Sequence, residues 1–191
     1  MATPTRRRST ASSCRDDGAG RGLRVLSVAD TLSPSVQRVR DALQAHGFGR
    51  EIVRLPASAH TSAEAARQLG CEVAQIAKSL VFRGRTSGRA VLVIASGANR
   101  VDEHKIAALV SEPVDKADAA FVRERTGFAI GGVAPVGHTE PVTTLIDEDL
   151  ARWPEIWAAG GHPSTVFRLR VDELIRMTGG RVTLVKERAR K

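Results

Sequence analysis

The stretch Lys78-Ser-Leu-Val-Phe-Arg-Gly-Arg-Thr-Ser-Gly-Arg-Ala-Val-Leu-Val-Ile-Ala95 decides how this chain folds. Two runs rich in β-branched and apolar residues, Ser79–Arg83 and Arg89–Ala95, flank the polar linker Gly84-Arg-Thr-Ser-Gly88. A short glycine-bounded linker between two such runs predicts a β-hairpin. Immediately upstream, Thr61-Ser-Ala-Glu64 is a capping box. It predicts an alanine-rich helix through Leu69, closed by Gly70, and a second short helix over Glu72–Ala77 leading into Lys78. Further up, Glu51–Leu55 reads as a strand stopped by Pro56. Ser33 and Pro34 open a helix whose Val36, Val39 and Leu43 share one face, with Gly47 past its end.

Downstream, helices are predicted at Asp102–Val110 and at Ala117–Arg125, the latter closed by Gly127. Pro141–Ile146 reads as a strand and Asp147–Trp153 as a short helix. Glu155–Ala159 and Thr165–Leu169 are strands around Gly160-Gly-His-Pro163. Asp172–Thr178 is a helix and Arg181–Val185 a last strand. Strands and helices alternate irregularly, so the fold class is α+β with a mixed sheet rather than a regular βαβ array. No internal repeat is present.

Composition narrows the class. The 191 residues suit one domain, expected over residues 23–191. Residues 1–22 carry no apolar period and read as a disordered basic tail. Six arginines against two aspartates put half of the +8 net charge in the first 24 residues. A basic chain attracts polyanions, although a solvated tail of no specific use has the same composition. With no tyrosine, five phenylalanines and two tryptophans, an aromatic platform for stacking several bases is not expected. Two cysteines, Cys14 and Cys71, are too few for a disulfide framework and indicate a reducing compartment. The longest apolar run, Ala90–Ala95, is far short of the ~20 residues of a membrane span. The start has no apolar h-region of a signal peptide. The expected location is cytoplasmic.

Three places break the periodic pattern. Lys78 stands at the mouth of an apolar strand, where its ammonium must reach water or an anion; a snorkelling surface lysine is the alternative. Gly131-Gly132-Val-Ala-Pro135-Val-Gly137-His138 has adjacent glycines, which let backbone N–H groups approach a ligand closely; a tight turn would look the same. Gly160-Gly161-His162-Pro163 poses the same choice. His60, His104, His138 and His162 lack metal-ligand spacing, and no C-x-x-C pair exists. No G-x-S-x-G elbow supports a serine triad.

Taken in order, Thr61–Gly70, Ile76–Phe82, Gly131–His138 and Ala159–Phe167 resemble the YbaK-like family of aminoacyl-tRNA editing domains, over about residues 33–185. The resemblance implies a curled, barrel-like mixed sheet flanked by helices. It implies hydrolysis of the ester between a wrong amino acid and the terminal adenosine of tRNA, without metal or organic cofactor. By the same likeness Lys78 is the key lysine at the acceptor end, and Gly131 and Gly132 form the loop that handles the scissile carbonyl. Ser79, Pro135, Gly137, His138, Gly160, Gly161 and His162 complete the substrate pocket. The implied partner is aminoacyl-tRNA, with an aminoacyl-tRNA synthetase as a further candidate. A non-catalytic tRNA- or partner-binding module of the same fold is the alternative. The amino acid removed stays open among alanine, cysteine, serine and threonine.

Overall fold

The computed structural model describes residues 22–27 and 30–188. The predicted tail, Gly22 apart, lies outside the described residues. The hairpin forms as the sequence predicts. β3 (Ile76–Gly84) pairs antiparallel with β4 (Ala90–Ser96), from Ala77↔Ser96 to Arg83↔Ala90. The Glu112 carboxylate holds its turn, accepting from the Thr86 and Ser87 N–H groups at 2.9 Å and the Ser87 hydroxyl at 2.6 Å. Every residue of β4 is buried, since the strand lies inside the sheet and is covered on both faces. That is why its run is apolar without alternation.

The other strands are β1 (Arg24–Val25), β2 (Ile52–Arg54), β5 (Val114–Lys116), β6 (Thr143–Asp147), β7 (Ile156–Ala159), β8 (Thr165–Leu169) and β9 (Arg181–Thr183). The helices are α1 (Pro34–Ala45), α2 (Ser62–Leu69), α3 (Glu103–Val110), α4 (Ala119–Thr126) and α5 (Val171–Thr178). The strands make one nine-stranded sheet in the order β1-β2-β8-β7-β3-β4-β6-β9, with β5 also on β3. Three pairings, β3–β7, β4–β6 and β6–β9, are parallel. The α+β class with a mixed sheet therefore holds. The sheet is open rather than a closed barrel, since β1 and β9 are its two ends. No helix of the described residues is long and apolar enough to cross a membrane.

Two predicted helices become tighter turns. Glu72–Ala77 is a 3-10 turn over Val73–Gln75, and the strand starts at once at Ile76. Pairing of Ile76 and Ala77 with Trp157 and Ala158 outweighs a helix six residues long. Asp147–Trp153 is a 3-10 turn over Glu148–Arg152, started by the Asp147 carboxylate accepting from the Asp149 N–H. The short strands β1 and β5 carry no sequence signal of their own; each exists by pairing with a longer neighbour.

Helices cover both faces. On one, Val36, Val39 and Leu43 of α1, Phe121 and Val122 of α4 and Leu174 and Met177 of α5 pack on Ala77, Val81, Leu92, Ile94 and Phe167. Each fully buried aliphatic or aromatic side chain there contributes about 1.5–3 kcal/mol. The other face is split. Ile106 of α3 packs with Phe82, Val91, Val93 and Leu145. Ala65, Ala66 and Leu69 of α2 pack with Leu55, Ile76 and Val166. Strand alternation puts Lys78 on this second face, between Ile76 of one cluster and Leu80, packed against the other.

Candidate active site

Lys78 occupies a break in the sheet as well as a gap between cores. On one side β3 is paired to β4 throughout. On the other it pairs with β7 at Ile76 and Ala77, and with β5 from Phe82 onward, Val81 accepting from the Ala117 N–H. Residues 78–80 have no partner strand on that side among the described residues. A cleft of about 550 Å³ opens at this window. Residues of both sheet faces line it, Ala77, Ser79 and Ala158 from one and Ile76, Lys78 and Trp157 from the other. Thr61, Ser62 and Ala63, at the start of α2, form one rim. The capping box fixes that rim: Thr61 Oγ1 accepts from the Glu64 N–H at 3.1 Å, and the Glu64 carboxylate accepts from the His60 and Thr61 N–H groups.

The lysine ammonium is held from behind. Lys78 Nζ donates to the carbonyls of Gly97 (3.3 Å) and Asn99 in the loop after β4. Burial pushes its pKa below the ordinary 10.5; the Asp147 carboxylate pulls it back up, and Arg100 adds to the lowering. Two of its three N–H bonds are used by these carbonyls, and the third is available to the cleft. Ser79 leaves the strand on the opposite face. Its Oγ is buried without a hydrogen-bond partner among the described residues.

The two glycine loops meet at the opposite rim. Gly131 lines the cleft beside Ile130, which is 58% exposed on the lip, and Pro163 faces them. A Cβ on Gly132 would stand 2.8 Å from His162 Cα, so backbone lies directly on backbone. The Gly132 N–H is already spent on the Ala129 carbonyl (2.9 Å) and the Gly160 N–H on the Thr165 carbonyl (2.7 Å). Among the described residues no backbone carbonyl takes the Gly131 N–H, nor those of Ile130 and Val133, which also line the cleft. At Gly161, where φ is +98°, a Cβ would stand 2.7 Å from the Ser35 carbonyl oxygen at the start of α1. Only glycine fits there, and the residue does not line the cleft.

Of the histidines, His60 lines the cleft with Lys78, next to Thr61 on the α2 rim, whereas His162 and His138 serve other partners. His162 Nδ1 accepts from the Ser164 N–H (3.2 Å) and pairs with the Ser164 hydroxyl (2.8 Å), so the ring serves its own turn. Pro135, Gly137 and His138 line a separate hollow with His46, Met177 and Thr178. His138 Nε2 donates to the Ala134 carbonyl at 2.8 Å, and the ring packs edge-on against Phe128. Burial pushes its pKa down, with the Ala134 bond opposing. The structure thus brings Lys78, Ser79 and Gly131 to one cleft, puts Gly132, Gly160, Gly161 and His162 in the loops that shape it, and sets Pro135, Gly137 and His138 elsewhere. Sequence reading passed over Gly97 and Asn99. Their signal is slight: a polar Ser96-Gly-Ala-Asn99 following directly on a buried strand.

A family model described as the aminoacyl-tRNA editing domain matches residues 56–177. The uncharacterized protein YwhH of Bacillus subtilis is 27% identical over 148 residues, covering 78% of this chain and 94% of its own. The "Putative Cys-tRNA(Pro)/Cys-tRNA(Cys) deacylase EbsC" of Enterococcus faecalis is 29% identical over 123 residues, covering 63% of this chain and 74% of its own. The crystal structure of "a putative trans-editing enzyme for prolyl tRNA synthetase" superposes with a TM-score of 0.78 at 51% identity, covering 83% of this chain and 100% of that one.

Proposed function

We propose that this chain, which belongs to the aminoacyl-tRNA editing domain family, is a trans-acting deacylase that hydrolyses the ester of mischarged tRNA. The observation that carries this reading is the Lys78 ammonium, fixed by two carbonyls at a window in the sheet and facing a cleft whose far rim is the Gly131 loop. Such a site suits an ester that is already activated. Water attacks the carbonyl carbon and negative charge grows on the carbonyl oxygen; the bond to the ribose oxygen then breaks, and that oxygen takes up the proton the water gives up. An N–H of Lys78 and the Gly131 N–H are donors suited to bind the ester and meet that charge. One oxyanion donor lowers such a barrier by about 3 kcal/mol. Holding the ester against water supplies the rest through orientation. No nucleophilic side chain enters this scheme, in keeping with the absence of a G-x-S-x-G elbow from the sequence.

The name of the solved relative pairs it with prolyl-tRNA synthetase, so proline tRNA charged with alanine, cysteine, serine or threonine is the substrate panel. Release of amino acid from that panel tests the reading. Lys78→Met keeps the apolar stem and removes the ammonium; it lowers the rate by about 10²-fold or more while the protein stays folded. Unchanged release in that variant refutes the role of the lysine. Charged tRNA that binds and is never hydrolysed by the unmodified protein makes the chain a binding module instead.

A further inference from the structure

The loop that holds Lys78 is itself held by buried carboxylates. Asp147, at the end of β6, is fully buried. Its Oδ2 accepts from the Ser96 N–H at 3.0 Å and from Asn99 Nδ2 at 2.7 Å, and its Oδ1 accepts from the Asp149 N–H at 3.2 Å. Asn99 Nδ2 also donates to Asp149 Oδ2 at 2.8 Å. That oxygen pairs with Lys186 Nζ at 2.5 Å, while Arg152 Nη2 lies 3.0 Å from Asp149 Oδ1. Both N–H bonds of the Asn99 amide thus go to carboxylates behind the loop. Its own carbonyl faces forward and accepts from Lys78.

A buried carboxylate is costly unless its oxygens are met by well-placed donors. Here two of the three donors to Asp147 come from residues 96 and 99, the segment that supplies the carbonyls to the lysine. Such a carboxylate fixes the loop to within a hydrogen-bond length. It is also the charge nearest in effect to the ammonium across the loop, acting against burial and Arg100.

We infer that Asn99 and Asp147 are positioning residues for Lys78: they lock the Gly97 and Asn99 carbonyls so that the ammonium is presented to the cleft in one orientation. This rests on the deacylase reading for its kinetic consequence, and on the geometry alone for its effect on the lysine. In Asn99→Ala the backbone carbonyl remains and the bridge to both carboxylates is lost. In Asp147→Asn the shape remains and the charge is lost.

The test uses the full chain with 15N-labelled lysine, of which the sequence has five. The Lys78 side-chain signal is assigned by its absence in Lys78→Met. For both variants, kcat on the charged-tRNA panel falls on the order of tenfold or more with KM held within about twofold, since misplacement by about 1 Å costs that much in orientation. The Lys78 signal moves, and that of Lys116, which pairs with Glu103 elsewhere, does not. A rise in KM with kcat kept overturns the inference, and so does a Lys78 signal identical to the unmodified protein's. If the unmodified protein hydrolyses none of the panel, the deacylase reading fails, and the Lys78 signal still decides the positioning claim. If Asp147→Asn does not fold, Asn99→Ala, at a partly exposed position, carries the test.

Discussion

Replacing Gly132 by alanine tests whether the two glycine loops act as one rim. A Cβ there stands 2.8 Å from His162 Cα and 3.0 Å from the His162 backbone C and N. Non-bonded carbons settle at about 3.5–4.0 Å, so the loops must part by about 1 Å. No rotamer absorbs the clash, because backbone lies on both sides. Both loops also resist movement, one through the Gly132–Ala129 bond and the other through the His162 N–H on Thr165 Oγ1 at 3.1 Å. Overpacking of this kind costs about 1–3 kcal/mol, and each kcal/mol lowers Tm by about 2–4 °C in a chain this size. The catalytic effect is larger, since moving Gly131 by about 1 Å costs about 10²-fold in kcat. Gly131→Ala fails for a different reason. Its Cβ meets only Pro163, at an ordinary 3.6 Å, but φ is +85°, and a left-handed backbone costs alanine about 1–2 kcal/mol. Asparagine tolerates that region better, so Gly131→Asn recovers stability over Gly131→Ala, whereas no residue larger than glycine rescues position 132. Thermal melts and single-turnover release of amino acid from charged tRNA check both. Gly132→Ala with unchanged Tm and turnover would show that the loops do not bear on each other.

His138 makes stability depend on pH. Burial lowers its pKa from the ordinary 6.5, so the folded state favours the neutral ring. Its contribution is complete above pH 6.5 and is lost as pH falls through the lowered value. Denaturation midpoints across that range decline on the acid side, and His138→Leu flattens the decline. Because the ring lies outside the lysine cleft, the same variant keeps deacylation within about twofold, in line with the modest effect expected of a distant site. Deleting residues 1–22 removes five of the six N-terminal arginines, which lowers tRNA affinity and flattens its salt dependence; an unchanged slope makes the segment a bystander.

What could be read from the sequence divides along a physical line. Local signals survived. The Thr61–Glu64 capping box, Pro34 at the first turn of α1 and the glycine-bounded hairpin all appear where the sequence puts them, because each is settled within a few residues. Non-local competition was illegible. Nothing in Glu72–Ala77 announces that parallel pairing with Trp157 and Ala158, eighty residues on, takes Ile76 and Ala77 into a strand. The site shows the same division. Lys78 stood out as a charge in an apolar run. Asp147 read as the first residue of a short helix; it caps a 3-10 turn instead, and its second duty toward Ser96 and Asn99 depends on β4 and β6 lying side by side. The glycine pairs looked alike in sequence, yet their settings differ: among the described residues the Gly131 N–H meets no backbone carbonyl, those of Gly132 and Gly160 close turns, and Gly161 stands where a Cβ would strike the backbone of α1.

The donor role proposed for Lys78 requires a particular protonation state, as a count of its N–H bonds shows. An ammonium has three N–H bonds; two go to the Gly97 and Asn99 carbonyls, and one remains for the ester. A neutral amine has two, both spent on those carbonyls, and offers the cleft a lone pair. A donor toward the substrate therefore requires the charged form. Burial works against it by lowering the pKa from 10.5, Arg100 works the same way, and Asp147 opposes both. The enzyme-catalysed rate, corrected for spontaneous ester hydrolysis, accordingly falls on an alkaline limb below pH 10.5. Asp147→Asn removes the opposing charge, lowers the lysine pKa further and moves that limb to lower pH. A corrected rate that climbs steadily with pH instead would mean that the free amine acts as a base, and the donor role assigned to the lysine would be lost.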